Sequence, residues 1–493
     1  MKKLFAYMMI VFPVFIYSGN ESFAQTKSGG KIPHFSGTPF LTLDINPYGM
    51  YNWNALPYNP ALLSNFIRED HVAILPRYKS VEGDYRRRFD PRAIRNYNME
   101  FEIVRDLGNK GKFLGTATFL REDYRDVDGS LRKDPYAGDP FFYRDTTLAH
   151  FPYDGPKVGF LYSYELFPSV HIGLGAGYGI LDGLKTEYTR ARTILRSFDY
   201  TFAAAYRPSG YNYIGISYKR DDARENIEAR YEQLLDVETF THRGDSYHLR
   251  RRGSSVEQTF RSISDHVELT GSLLATDRML LEGRGIYTVK GFQVLRPLAM
   301  IKEHEEGYAQ YVTYNGVASV KYFLNDRVSL QAKGNYHDTK MWARISDRNL
   351  LLWEWDYRTY GFGLGITYRT SPRVMYLLEA DVAQFSADSV KYIDNHTNSF
   401  DSHGNGIHGA VEFYATDKLR FLTSAGGRWF DREPERGGDN YFFWNASAHA
   451  TYRWKDNLQF YLYTKYGKSN ADLHGMRKGL THSEIVLGIK VYQ

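Results

Sequence analysis

The stretch Val170–Ile180, VHIGLGAGYGI, sets a glycine at every second position: Gly173, Gly175, Gly177 and Gly179. A phosphate-cradling loop needs its glycines at a turn between a strand and a helix. Strict alternation belongs instead to an extended chain whose side chains point to opposite faces. Val170, Ile172, Leu174, Ala176 and Tyr178 fill the other parity, so the stretch reads as a strand with one apolar face and one bare face. Glycine weakens a strand interior, and close approach of another backbone is a usual reason to keep it there.

The same design recurs downstream. RVSLQAKGNYH sets Val328, Leu330, Ala332, Gly334 and Tyr336 against Ser329, Gln331, Lys333, Asn335 and His337. TYGFGLGITYR sets Tyr360, Phe362, Leu364, Ile366 and Tyr368 against Gly361, Gly363, Gly365 and Arg369. In RVMYLLEADV, Val374, Tyr376, Leu378, Ala380 and Val382 oppose Glu379 and Asp381. Tyrosines stand at the ends of these apolar stripes, where an amphipathic ring meets a headgroup layer. The chain carries 41 tyrosines and 16% aromatic residues, yet its mean hydropathy is -0.49, a pairing that suits two-faced strands better than a soluble core.

The connections alternate in length. Short turns fall at Asn109–Lys112, Phe167–Ser169, Arg207–Gly210, Ala275–Arg278, Leu324–Arg327, Thr370–Arg373, Ala415–Lys418 and Trp454–Asn457, each with residues that tolerate tight-turn dihedrals. Between them lie longer polar stretches, such as Arg125–Asp154, Arg220–Ser262, Lys391–Ser402 and Lys468–Leu480, which read as long external connections. Short turns on one side and long connections on the other are the asymmetry of outer-membrane barrels. Eight hairpins imply roughly sixteen strands, and the alternating runs before and after them raise the count to about eighteen. The expected fold is all-β: a transmembrane antiparallel up-and-down β-barrel of about 14–18 strands with an N-terminal lumenal or periplasmic plug segment. The alternating run from Tyr211 exceeds the roughly 9–11 residues that cross a bilayer, so its strands are expected to project beyond the outer leaflet.

Residues 1–24 read as a cleavable secretory signal peptide: Lys2 and Lys3, an apolar run from Leu4 interrupted at Pro13, then Ser22-Phe23-Ala24 as a small-x-small site. Secretion by this leader places the chain in the outer membrane. The chain has no cysteine, which removes disulfides, thiolate metal sites and a lipoprotein anchor. A net charge of +5 with interspersed signs does not suggest nucleic acid. Basic clusters at Arg86-Arg87-Arg88 and Arg250-Arg251-Arg252 read as exposed charge, or as contacts to the headgroups of outer-membrane lipid and lipopolysaccharide, the partners expected of such a barrel.

Residues 25–70 do not alternate and are rich in Pro, Asn and aromatics. A segment of this kind ahead of the barrel, residues 71–493, lies in the periplasm or folds into the lumen. Within it, YNPALLSNF carries Asn59-Pro60-Ala61. This signature resembles that of FadL-like fatty-acid channels and of the PorP and PorV type outer-membrane barrels of type IX secretion. The resemblance implies a hatch at Asn59, Pro60 and Ala61 inside the barrel, past which hydrophobic substrates move. It also implies, as an alternative, a secretion-accessory barrel that holds periplasmic or surface protein partners.

No nucleophile elbow, His-Glu-x-x-His helix or Walker loop occurs, so no enzyme is expected. HGNGIHG has dinucleotide-like glycine spacing without a strand-to-helix context, and reads as a loop entering a strand. DVDGS, Asp126–Ser130, lacks the distal glutamate of a calcium loop and reads as a turn. His304, His403, His408 and His474 are scattered over expected loops and make no metal site, and no cofactor is expected. Inward charges at Lys333, Arg369, Glu379, Asp381 and Lys465 are the functional candidates, because lumenal charge sets pore selectivity; a salt-bridged structural interior is the alternative. Tyr461 and Tyr463 share the Lys465 parity as packing or as an aromatic slide. The glycines of both runs, Gly173, Gly175, Gly177, Gly179, Gly361, Gly363 and Gly365, are expected to form bare inner wall against which the N-terminal segment packs. The expected activity is a passive or gated channel for small or hydrophobic solutes, the alternative a scaffold that transports nothing.

Overall fold

Each of the eight expected short turns joins two antiparallel strands in the computed structural model, which describes residues 59–492 apart from 67–69, 137–139, 210, 232–235, 244–246, 298–302, 394 and 434–435. The expected leader and residues 25–58 lie outside the described residues. The turns form for local reasons. In the two Ala-Thr-Asp turns the Thr276 and Thr416 hydroxyls accept backbone N–H groups from Arg278 and Lys418, and Asn325 accepts from Arg327 and Val328 at 2.8 and 2.9 Å.

Seven strands open the wall: β1 (His71–Gly83), β2 (Ala93–Leu107), β3 (Gly111–Ser130), β4 (Phe141–Phe167), β5 (Val170–Leu184), β6 (Arg192–Tyr206) and β7 (Tyr213–Arg230). A hairpin, β8 (Val237–Arg243) and β9 (Tyr247–Gly253), then leaves the wall. The wall resumes with β10 (Ser255–Thr276), which pairs directly with β7, followed by β11 (Met279–Arg296), β12 (His304–Phe323) and β13 (Val328–Ile345). It continues through β14 (Leu350–Ser371), β15 (Val374–Lys391), β16 (His396–Thr416) and β17 (Leu419–Arg432). The last three strands are β18 (Asp439–Lys455), β19 (Leu458–Leu473) and β20 (Met476–Tyr492). Antiparallel pairing of β1 with β20, from His71 opposite Tyr492, closes the cylinder, so eighteen of the twenty described strands form a barrel without an edge.

The outer face is apolar. On β14, Tyr360, Phe362, Leu364, Ile366 and Tyr368 are 40–56% exposed, and equivalent stripes ring the barrel. Exposure of that much contiguous apolar surface is unsustainable in water and fits a lipid belt. Paired tyrosines border it: Tyr78 with Tyr97, Tyr287 with Tyr314, and Tyr336 with Tyr360, all with ring centroids 5.1–5.2 Å apart. The chain is thus a transmembrane antiparallel barrel with its short turns on one side.

The run from Tyr211 continues as strand, as expected, in β7, and the long polar stretches prove to be strand more widely than expected. Most of Arg125–Asp154, Arg220–Ser262, Lys391–Ser402 and Lys468–Leu480 is strand, joined by brief tips such as His474-Gly475. Above the membrane both faces of a strand meet polar surroundings, so apolar alternation disappears while the hydrogen-bonded ladder continues. DVDGS is accordingly not a turn between elements but the top of β3, with register shifts against β4 and left-handed Asp126 and Gly129. HGNGIHG lies wholly within β16, which puts His403 on the outer face and buries His408 on the inner one.

Candidate functional site

The inner wall is built by parity. His171, Gly173, Gly175, Gly177 and Gly179 face inward on β5, and Gly361, Gly363 and Gly365 do so on β14. What fills the space above these glycines differs. A Cβ on Gly173 would overlap Ala61 N and stand 2.5 Å from Pro60 C; one on Gly215 of β7 would stand 2.5 Å from Asn59 Nδ2. Backbone and amide of the N-terminal segment therefore lie directly on two glycines of the wall.

That segment is a short turn at the short-turn end of the lumen. Asn59 accepts the Ala61 N–H at 3.0 Å through Oδ1, and Pro60 opens a 3-10 turn over Pro60–Leu62 that runs into one helical turn, α1 (Leu63–Phe66). Ser163 of β4 donates to Ala61 O at 3.0 Å. Leu62 packs on Ala205, and Leu63 packs on Val104, Leu114 and Leu161. Arg207 donates to Ser64 Oγ at 3.2 Å. Replacing Gly173 with leucine should expel this turn from the wall at a cost of about 1–3 kcal/mol, typical of overpacking. Heat-modifiable gel mobility would show that the barrel persists, and protease sensitivity near residues 59–66 should rise.

Gly173 meets the N-terminal turn, whereas Gly175, Gly177, Gly179, Gly361 and Gly363 meet residues of the barrel wall. A Cβ on Gly177 would strike the Asp199 carboxylate, one on Gly179 would lie 2.9 Å from Ser197 Oγ, and one on Gly361 would strike Asn335 Oδ1. Gly175 makes room for Leu161 Cδ2 at 2.7 Å, and Gly363 keeps ordinary distance, 3.5 Å, from Asp381 Cβ. These glycines serve their cross-strand neighbours: Gly177 pairs with Asp199, Gly179 with Ser197 and Gly361 with Asn335.

The lumenal charges follow the same rule. Lys333, Gly363, Asp381, Gly406 and Arg428 are side by side on β13–β17 in one continuous cross-strand row. Asp381 and Arg428 form an ion pair over Gly406, whose hydrogen leaves the space that a methyl would take from the Asp381 carboxylate. The next row toward the short turns holds Gln331, Gly365, Glu379, His408 and Gly426. Glu379 acts electrostatically on Lys333, and Lys465 acts on His408. Lys333, Glu379, Asp381 and Lys465 are therefore brought together, with Arg428 and His408 added by the fold. Arg369 stands apart near the short turns, its N–H on Arg327 O at 2.8 Å. Tyr461 faces inward, donates to Gln459 Oε1 at 2.8 Å and stacks on His449 at 6.0 Å; Tyr463 meets His449 edge-on at 6.5 Å.

At the end opposite the short turns, segments of the chain fold inward and pack on the wall. The tip of β4 stays beside β3, with Ser130 opposite Arg144, but on its other edge it leaves β5 and pairs with β8, from Phe141 opposite Arg243 to Arg144 opposite Phe240. Phe141 reaches across to stack on Phe292 of β11 at 6.3 Å and occupies the space above Gly307 of β12. Leu131, Phe141, Tyr143 and Val237 join residues of β7 and β10–β14 in the largest hydrophobic cluster. From the β1–β2 connection, fully buried Tyr85 enters a second cluster with Phe385, Phe430, Tyr441 and Phe443, and donates to Gly437 O at 2.8 Å. Phe89 ties the two halves together against Tyr136, Phe142 and His242.

Polar locks hold this closure. Lys185 and Asp145 form a fully buried ion pair at 2.6 Å, and Asp145 also accepts from Thr189 N and Oγ1 at 3.1 Å. Burial draws the Lys185 ammonium below the ordinary lysine range, against the opposing pull of Asp145. Arg251 of β9 pairs with Glu306 of β12, and Arg243 of β8 lies 3.7 Å from Asp347. Of the two basic clusters, Arg87 pairs with Asp90 and lies over the Tyr136 ring at 3.8 Å, while Arg250 and Arg252 are exposed, as expected, and pair with Glu238 and Asp236.

Glu225 accepts from Lys133 N at 2.7 Å beside Arg132, and burial raises its carboxyl above the ordinary range despite that arginine. The closed form thus binds this proton more tightly than an open form in which Glu225 is solvated. Its contribution is complete below the ordinary glutamate pKa and is lost as pH rises through the folded value. Amides of residues 131–144, corrected for intrinsic exchange, should be better protected at pH 5 than at pH 7, and Glu225→Gln should remove the difference.

Among the described residues, no three His, Asp or Glu side chains converge as metal ligands. Sequence reasoning missed the inward-folded segments, and with them Arg428 and His408 as neighbours of the expected lumenal charges. Arg428 was findable, since Ser424, Gly426, Arg428 and Phe430 share one parity in TSAGGRWF.

A model of a family described as a family of unknown function (DUF6850) matches residues 60–485. No curated protein matches. Among solved structures, the siderophore receptor PirA from Acinetobacter baumannii is similar at 6% identity, over 87% of this chain and 81% of that one, with a TM-score of 0.42. The outer membrane transporter YddB from Escherichia coli is similar at 7% identity, over 87% and 81%, with a TM-score of 0.43. A Pseudomonas aeruginosa FadL homologue is similar at 11% identity, over 88% and 92%, with a TM-score of 0.33.

Proposed function

The chain belongs to the DUF6850 family of unknown function, and from that premise we propose that it is a gated outer-membrane channel for small polar solutes. The observation that carries the reading is the charged, glycine-relieved wall of β13–β17, which lies between two closures made by the chain's own segments. Barrels of about this strand number enclose an aqueous channel when nothing fills them. Lys333, Glu379, Asp381, His408 and Arg428 share one lumenal face, where a solute crossing the barrel would meet them.

Polar rather than greasy solutes suit that wall, because charge and amide groups replace part of a solute's hydration as it passes. The hatch role of Asn59, Pro60 and Ala61 belongs to this proposal: the turn lies directly on Gly173 and Gly215 of the wall at the short-turn end of the lumen.

Selectivity tests the reading. In a variant whose β8–β9 hairpin, residues 237–253, is replaced by a short Gly-Ser linker, Arg428→Glu should shift the reversal potential in a salt gradient toward cation preference. An unchanged reversal potential would remove the lumenal row from the conduction path. A silent variant would remove the channel and leave the scaffold reading.

A further inference from the structure

We infer that the outer face of β6, β7 and β10 carries a binding site for the phosphate groups of an outer-leaflet lipid headgroup. Arg196 of β6 stands directly opposite Arg224 of β7, and Arg224 stands directly opposite Arg261 of β10. Three guanidinium side chains thus occupy one cross-strand row, all on the lipid-side parity, with strands about 4.8 Å apart. Like charges placed directly opposite are destabilising, so such a row calls for an anion.

The row lies at headgroup height. Phe198, 48% exposed, precedes Arg196 by one outward step on the membrane side, and Ile263 does the same for Arg261. Tyr218 and Arg220 mark the boundary on β7, with Asp265 accepting from the Tyr218 hydroxyl at 2.6 Å. Protein carboxylates meet part of the charge: Arg261 is bidentate on Asp222 at 3.2 and 2.7 Å, and Arg224 reaches Glu303. Arg196 is exposed and has no acidic partner among the described residues. Arg192, two residues farther out, is taken by Asp182. Arg224 is held by Asn226 Oδ1 at 2.9 Å and by Glu303, so the planar fork of Arg196, next to it in the row, is the one set to take a phosphate on the lipid-facing surface.

The site rests on the membrane-spanning barrel and not on the channel reading, so either can fail alone. The full chain, purified in neutral detergent, is titrated with diphosphoryl lipid A, with dephosphorylated lipid A and with inorganic phosphate, and read by native mass spectrometry. The expected result is retention of the diphosphorylated lipid, weakened about thirtyfold by Arg196→Gln with Arg261→Gln and more steeply by salt in the wild type. Arg196→Lys, which keeps the charge and loses the fork, should weaken binding less than Arg196→Gln, and Arg86→Gln with Arg88→Gln should match wild type. Heat-modifiable mobility confirms that each barrel is folded. Equal retention by the Arg196 and Arg261 double variant, or by dephosphorylated lipid A, would overturn the proposal. Displacement of the lipid by inorganic phosphate at equal concentration would also overturn it, by assigning the row to free anions.

Discussion

Lys185→Met should cost about 3–5 kcal/mol of local stability, because it leaves the Asp145 carboxylate buried without its cation. Asp145 sits at the centre of a set of donors: Lys185 Nζ at 2.6 and 2.7 Å, Thr147 N at 3.1 Å, and Thr189 N and Oγ1 at 3.1 Å. The methionine keeps the volume of the aliphatic stem, so lost packing contributes little and the loss reports on charge. The wall ladders of β5 and β6 are untouched, so the damage should stay in the tip of β4 and the connection over 185–191. Hydrogen exchange should show those amides opening while β13–β17 remain protected. A double replacement, Asp145→Leu with Lys185→Met, should recover much of the loss, because removing both charges of a buried pair is far milder than removing one. Unchanged exchange in the single variant would mean that the pair is solvated and does not lock the closure.

Tyr85→Ala should be of similar size, about 3–5 kcal/mol, the usual cost of emptying a fully buried aromatic site. Tyr85 comes from the β1–β2 connection and is the one large side chain of that connection in the second hydrophobic cluster, against Phe385, Phe430, Tyr441 and Phe443. Its hydroxyl also satisfies Gly437 O. These partners belong to strands that hold themselves in register, so they cannot collapse into the vacancy. The connection over 84–92 should detach and become protease-sensitive, while Tyr85→Phe, which loses only the hydrogen bond, should cost about 1 kcal/mol.

What the sequence revealed and what it hid follow from the range of each interaction. The short turns were legible because their chemistry is local: Thr276, Thr416 and Asn325 bond to backbone groups within three residues. The lipid-facing stripes were legible because a period of two survives wherever one face meets lipid, as from Tyr360 to Tyr368. Above the membrane that contrast is lost, and strand reads as loop. The closure was hidden because Phe141 meets Phe292 and Tyr85 meets Tyr441 only after the barrel has closed. The glycine pattern lies between these cases. Parity put Gly177 and Gly361 on the inner wall, but only the register shows that Asp199 and Asn335 take the space. The arginine row was hidden for the same reason, because its members come from three strands and meet only through the register of β6, β7 and β10.

The proposed channel is an eighteen-strand barrel with a charged lumen, held shut by its own inward-folded segments. Single-channel recording in planar bilayers tests it most directly, comparing the wild type with the variant whose residues 237–253 are replaced by a short linker. The account predicts a wild type that is closed or opens rarely and a variant with long-lived, high-conductance openings. A wild type that conducts steadily at the same level as the variant, or a variant as silent as the wild type, would contradict it.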